Sequence, residues 1–371
     1  MSRTANCLRS VAGSWSARLG LVLLFAATGT VGWSGEKLPL HQPSIAIELP
    51  VEHNTPDGMT LDSDGNILLA CPNFNTNLKG NEQPAWIMKI TPNDKLEPWF
   101  PVPVHPQTGK ACPLGIAFGS DGNLYVADCQ ALGGNNNRMS RLLRIVVTDK
   151  KPVRCESVAE GFVMSNGVAC FGDAVYVTET SFEPKPAPGP MPSGVVRLAI
   201  SEMSGGQPIR LQPGGKDPHV VARLVTKSEA WKVGANGIGF APDGTMYVCN
   251  FGDAQLIAVK LDRQGRAVSQ RVVAEGPPIK STDGMKVDPR TGLVYIADFL
   301  GNAVHCVNPQ TGQVTVIAQN GPTNGHDGEL DKPSEVCLRG PRLYVSNIDL
   351  DKLDGNTFDK PYTVSVIDLS K

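Results

Sequence analysis

The sequence predicts an all-β fold, a six-bladed β-propeller with four-stranded antiparallel blades. Three observations lead there. One pattern recurs six times along the chain, each copy carries a turn dipeptide between two apolar runs, and the copies lie about 50 residues apart. The copies begin at Asp57-Gly58-Met59, Leu114-Gly115-Ile116, Asn166-Gly167-Val168, Asn236-Gly237-Ile238, Asp283-Gly284-Met285 and Ser334-Glu335-Val336.

The first 35 residues stand apart from the repeat. Arg3, Arg9 and Arg18 precede an apolar run over 19–33, with no acid among them. A basic start, a short apolar core and small residues beyond it read as a secretory signal over 1–35, with an uncleaved anchor as the alternative. Export to the periplasm or the extracellular space is therefore expected. Residues 36–371 then form a single propeller domain, and no later apolar run is long enough to span a membrane.

Within each copy the two strands flank a turn such as Asp64-Gly65 or Asp243-Gly244. Glycine there supplies the left-handed backbone a tight hairpin needs. The second strand is rich in Val, Ile, Leu and Tyr, as a buried strand should be. Third strands are expected at 85–90, 142–147, 194–199, 255–260 and 303–307, and a fourth at 269–274. The last copy supplies strands near 335–339, 342–347 and 362–368 but no fourth. The N-terminal run Ser44–Leu49 is positioned to fill that place and to remove an exposed edge.

Composition narrows the function. The net charge is -2, which disfavours a basic nucleic-acid binder. Eight cysteines remain beyond residue 35, and no Cys-x-x-Cys pair occurs. Their pairing is left open, with Cys170 expected as a free thiol on a strand, and a zinc site has little support.

The residue before each repeat glycine points toward the propeller axis. In order these are Asp57, Leu114, Asn166, Asn236, Asp283 and Ser334. Two carboxylates and two carboxamides converging there form an oxygen cage suited to a hard divalent cation, Ca²⁺ first, with Mg²⁺, Mn²⁺ or Zn²⁺ as alternatives. Asp57, Asn166, Asn236 and Asp283 are the expected metal ligands.

These motifs resemble the regucalcin/gluconolactonase family, with a further resemblance to diisopropyl fluorophosphatase. The resemblance runs over nearly the whole chain after residue 50 and is most specific at Asn236-Gly237-Ile238-Gly239-Phe240 and Asp283-Gly284-Met285-Lys286-Val287. It implies a calcium-dependent six-bladed propeller in which Asn166, Asn236 and Asp283 hold the metal and Asp283 also takes part in catalysis. The family's first ligand is a Glu in Glu-Gly-Pro. Here that place is Asp57, one methylene shorter. Lys332-Pro333-Ser334 is similar to the family's approach to its last blade.

The expected activity is hydrolysis of a lactone or related ester by a monomeric, metal-dependent enzyme with a small-molecule, sugar-derived substrate. A non-catalytic calcium-containing sensor propeller and a phosphotriesterase-type hydrolase are the alternatives. Asp283, Glu335 and His326 are the catalytic candidates, with Glu179 and His53 behind them. Glu335 stands where a sixth repeat glycine is expected. Glu179 shares a column with Cys71, Asp128, Asn250, Asp298 and Asn347, which reads more readily as a between-blade hydrogen-bond ladder. Substrate choice is expected from rim loops, among them the proline-rich 182–192, which reads as a rigid lid or a partner-docking strap. Asp349, Asp351 and Asp354 resemble a calcium loop only loosely.

Overall fold

The computed structural model describes residues 40–77, 84–134, 137–350 and 359–370. The segment read as a signal, residues 1–35, lies outside these, as do Asp351 and Asp354. Among the described residues no helix is long and apolar enough to cross a membrane.

Blade 1 is built from β2 (Met59–Leu61), β3 (Ile67–Cys71), β4 (Trp86–Ile90) and β5 (Leu96–Pro101), and the chain reaches it after β1 (Ser44–Leu49). Blade 2 has β6 (Pro113–Phe118), β7 (Leu124–Asp128), β8 (Ser140–Thr148) and β9 (Lys151–Phe162). Blade 3 has β10 (Ser165–Phe171), β11 (Ala174–Glu179), β12 (Met191–Ala199) and, after β13 (Ile209–Arg210), β14 (Val220–Thr226). Blade 4 runs through β15 (Ala235–Phe240), β16 (Met246–Asn250), β17 (Gln255–Leu261) and β18 (Ala267–Glu275). Blade 5 runs through β19 (Met285–Val287), β20 (Val294–Asp298), β21 (Ala303–Val307) and β22 (Val314–Gln319). Blade 6 holds β23 (Pro333–Arg339), β24 (Arg342–Asn347) and β25 (Tyr362–Asp368).

The outer place of blade 6 is taken by β1, which pairs antiparallel with β25, Ile45 opposite Ser365 and Leu49 opposite Tyr362. The ring thus closes with the first strand in the last sheet, as the sequence pattern predicts. One element was not legible. Strand β13 adds to β9 in parallel, Ile209 opposite Ala159, so blade 2 has five strands. A two-residue strand inside a long insertion carries no alternation to read.

The turns between first and second strands behave as expected, with Gly65, Gly122, Gly172, Gly244, Gly292 and Gly340 all at positive φ. The second strands are the most buried. Every residue of β3, β7, β16 and β20 is buried, because each is flanked by strands on both edges and by blades on both faces. Burying one such Val, Leu or Ile contributes about 1.5–3 kcal/mol. Apolar clusters form between consecutive blades. One joins Leu69 and Met88 of blade 1 to Tyr344 and Val364 of blade 6. All eight described cysteines are free thiols, and burial pushes that of half-buried Cys170 up to about 12.

Around the axis the backbones touch. A Cβ on Gly58 would meet the Leu114 carbonyl and stand 2.8 Å from Gly115 Cα; one on Gly115 would meet Asn166 O at 2.5 Å and Gly167 Cα at 2.8 Å. The same relation links Gly167 to Asn236, Gly237 to Asp283 and Gly284 to Ser334. At the seam between blades 6 and 1 the link is a side chain, with Ser334 Oγ donating to Pro56 O at 3.3 Å. These glycines are therefore required by close approach rather than by turn geometry.

Candidate metal centre

The axis residues sit at or just before the start of the inner strand of each blade. Asp57 N–H donates to Ala70 O and Asp283 N–H to Ala297 O, both at 2.9 Å, which fixes each carboxylate relative to its own second strand. Thr178 Oγ1 donates to Asn236 O at 2.7 Å and accepts from Gly167 N–H at 2.7 Å, tying the Asn166 and Asn236 positions together. Asp57, Asn236 and Ser334 are buried, while Asn166 and Asp283 are half-buried.

Electrostatics shows which groups share the centre. Burial raises the Asp57 carboxyl to about 7, Ser334 offers it a hydrogen bond, and the neighbouring Glu335 charge raises it further. Asp283 is pushed well above the usual carboxylate range, first by burial and then by Asp57 and Glu335, with the Asn236 carboxamide opposing. Glu335 is raised by burial and drawn back by Lys286, whose Nζ lies 3.5 Å from Glu335 Oε2. Three acids thus act on one another in a desolvated place, with the Lys286 cation beside Glu335. Mutual repulsion of this kind is relieved by protonation or by a bound cation. The donor set is all oxygen, and it fits a hard divalent ion held by Asp57, Asn166, Asn236 and Asp283.

Lys286 belongs to the quoted Asp283 motif but was given no role in the sequence reading. Glu335 is there because the inner strand of blade 6 lacks the glycine. Its carboxylate packs against Gly284, where a Cβ would stand 2.6 Å from Oε1, and it accepts from Val336 N–H at 2.8 Å.

The remaining candidates lie elsewhere. His326 is exposed on the loop before β23, with its N–H donating to Asn324 Oδ1 at 3.2 Å. Two residues on, Gly328 abuts Ser44 and Ile45 of the outermost strand, so this loop runs toward the blade's outer edge. His53 packs edge-on against Trp86, ring centroids 5.8 Å apart, and burial lowers its pKa. The structure groups Asp57, Asn236, Asp283 and Glu335 and does not bring either histidine to them.

Glu179 serves its own blade. Its two oxygens accept from Val163 N–H at 2.9 Å and Met164 N–H at 2.6 Å, the residues leading into β10. Asp128 does the same for Cys112 N–H, Asp298 for Lys280 and Ser281, and Asn347 for Asp331. For these four residues the ladder runs within a blade, clasping the lead-in segment to the end of the second strand, whereas Asn250 reaches blade 3, accepting from Thr226 Oγ1 at 2.6 Å and donating to Val225 O at 3.2 Å.

Leu114, the apolar member of the axis column, has a reason to be apolar. It joins one cluster with Phe74, Cys112, Cys129, Phe251, Phe299 and Ile348, all buried, with Met164 and Trp231 at its margin. These come from segments of all six blades and form an apolar collar around Leu114. The proline-rich loop is tied to the segment before β15, with Gly189 N–H donating to Glu229 Oε1 at 2.8 Å and Lys232 Nζ donating to Gly189 O.

Ring closure defines a class, the six-bladed β-propellers, here with acids and carboxamides gathered at the start of the inner strands. Residues 190–327, which include Asn236 and Asp283, match the family described as SMP-30/Gluconolactonase/LRE-like region, and the resemblance read from the motifs is borne out there. No curated protein matches the chain. Among solved structures it is similar to a gluconolactonase from Xanthomonas campestris, at 15% identity and TM-score 0.51, over 90% of this chain and 98% of that one. It is similar to the calcium-binding protein regucalcin from Agrobacterium tumefaciens at 15% identity and TM-score 0.52, over 89% and 95%. A PQQ-bound aldose sugar dehydrogenase from Streptomyces coelicolor matches at 16% identity and TM-score 0.54, over 90% and 99%. Relatives of different chemistry at similar scores show the fold, and the site must carry the function.

Proposed function

We propose that this chain is a divalent-metal-dependent hydrolase of a lactone or related ester. The observation that carries the reading is the convergence of Asp57, Asp283 and Glu335 beside Asn236 at the axis, within the family-matched stretch for Asn236 and Asp283. A divalent cation held there supplies Lewis acidity toward a carbonyl oxygen, worth several kcal/mol.

Asp57, Asn166, Asn236 and Asp283 are the residues to hold it. Asp283 is the carboxylate placed to accept the proton of the attacking water. Glu335 is held beside it by Lys286 and Val336 N–H. The apolar collar excludes bulk water and favours the less hydroxylated members of the substrate class.

The test uses the purified chain stripped of metal, re-supplied with Ca²⁺, Mg²⁺, Mn²⁺ or Zn²⁺, and followed by pH-stat on a lactone panel. Metal-dependent turnover lost in Asp283→Ala supports the reading. Turnover and metal binding retained in that variant would sink it. A second reading, a calcium-holding binding propeller, is favoured by Asp57 standing where the family has Glu. A metal-dependent rise in Tm without turnover of any lactone, aryl ester or phosphotriester selects it.

A further inference from the structure

Three acids far apart in sequence meet at the start of blade 6. Asp331 lies two residues before β23, Asp349 two residues after β24, and Asp359 three residues before β25. One carboxylate oxygen from each lies within 4.8 Å of the other two. Asp331 and Asp349 are each 3% exposed. Asp359 is the most accessible of the three, and its N–H donates to Asp349 Oδ2 at 3.0 Å.

The second observation is independent of the clustering. Asp331 Oδ1 is fully buried and has no hydrogen-bond partner among the described residues. A buried carboxylate oxygen without a donor loses its hydration and gains nothing in return. Among the described residues the charges that act on it are Asp349, Asp359 and Glu329, all negative, and the Lys332 cation. The Lys332 ammonium lies 5.2 Å from the centre of the Phe299 ring. The group is distinct from the axis centre, because the acids that act on Asp283 are Asp57, Glu335 and Asp298, and those that act on Asp331 are a separate set.

We propose that Asp331, Asp349 and Asp359 form a second divalent-cation site, of the calcium class, which pins the three chain segments at this end of blade 6. Calcium–oxygen distances of about 2.3–2.6 Å allow ligand oxygens on opposite sides of one ion to lie roughly 5 Å apart, so the three oxygens fit around a single ion. The set contains no His or Cys, which disfavours zinc. The remaining positions belong to water and backbone carbonyls. The ion joins the lead-in of β23 to the end of β24 and the start of β25, segments that meet at Asp359 N–H and at the Asp331 N–H bond to Asn347.

The experiment is calorimetric titration of the EDTA-treated full chain with Ca²⁺ alone, with Tm measured in EDTA and in Ca²⁺. Asp283→Asn removes the axis ligand, and calcium binding that persists in it belongs to the second site. Adding Asp359→Asn, a change at the most accessible member, is expected to weaken that residual binding at least about tenfold. Asp331→Asn is expected to abolish it, with Tm in EDTA unchanged or raised because a buried charge is gone. Absence of residual binding in Asp283→Asn, or residual binding that Asp359→Asn leaves unchanged, overturns the proposal. Calcium binding that Asp283→Asn leaves intact and Asp359→Asn removes entirely sinks the axis reading and upholds this one.

Discussion

Asp94 and Arg342 lie 248 residues apart in the chain and 2.7 Å apart in space. Asp94 sits in the turn of blade 1 between β4 and β5, and Arg342 opens β24 of blade 6. Arg339 Nη2 also donates to Asp94, as does the Tyr344 hydroxyl at 2.8 Å. The seam of the ring is thus fastened by a charged clasp as well as by β1. Burial acts against ionisation of Asp94, but the Tyr344 hydroxyl and both guanidiniums outweigh it and hold the carboxyl below its ordinary value.

Asp94→Ala leaves two guanidiniums without their acceptor and is expected to lower stability by about 2 kcal/mol. A folded value below the unfolded one means the contribution is complete above the ordinary carboxylate range and fades as pH falls through the folded value. Urea unfolding of wild type and variant at pH 7 and at pH 3 checks this, with the difference shrinking at the lower pH. An unchanged difference would show that packing, not charge, supplies the effect.

Gly237→Ala tests the backbone contacts at the axis. The new Cβ meets the Asp283 carbonyl and stands 2.9 Å from Gly284 Cα, both backbone atoms that cannot rotate away. Overpacking of this kind costs about 1–3 kcal/mol, and here it displaces a proposed ligand as well. The expected outcome is a lower Tm together with weaker calcium binding. Gly65→Ala, with open space around the Cβ but φ of 78°, is expected to lower Tm alone.

Glu179 should make stability depend on pH. Burial raises its carboxyl to about 8, against the two backbone donors of Met164 and Val163. The folded value exceeds the unfolded one, so the neutral form is favoured in the fold. Its contribution is present below about 4.5 and is lost as pH rises toward 8, at up to about 1.4 kcal/mol per pH unit. Chemical unfolding between pH 4 and 9 should show this slope in wild type and a flatter one in Glu179→Gln.

Lys286→Met removes the cation beside Glu335 and leaves a buried carboxylate unpaired, which costs about 3 kcal/mol or more. Added calcium should recover more Tm in this variant than in wild type, because an axis cation takes over part of the compensation. Equal calcium responses would separate the Lys286–Glu335 pair from the metal centre.

Much of the propeller was legible because its signals are local. The turn at Asp64-Gly65 and the apolar run Ile67–Cys71 declare a hairpin within fifteen residues of Asp57, and six repetitions convert hairpins into a ring. The axis column was legible for the same reason, since it is one register position read six times. What escaped was decided by tertiary contact. Asp94 meets Arg342 only once the last blade lies beside the first, and Asp331 meets Asp349 and Asp359 only once the strands of blade 6 pair. The acids between 349 and 354 drew attention as a local loop, whereas Asp349 finds its partners at 331 and 359. The exposed position of His326 and the packing of His53 on Trp86 were equally invisible, because a histidine in a loop carries no periodicity to place it.

The glycine contacts around the axis act like the hoop of a cask. Because Gly58, Gly115, Gly167, Gly237 and Gly284 each bear on the neighbouring backbone, the calibre of the aperture belongs to the main chain and not to any side chain. Blades held in that way keep their inner strands at one spacing whatever the length of the loops between them, so the loops can diverge while the ring at the centre stays the same size.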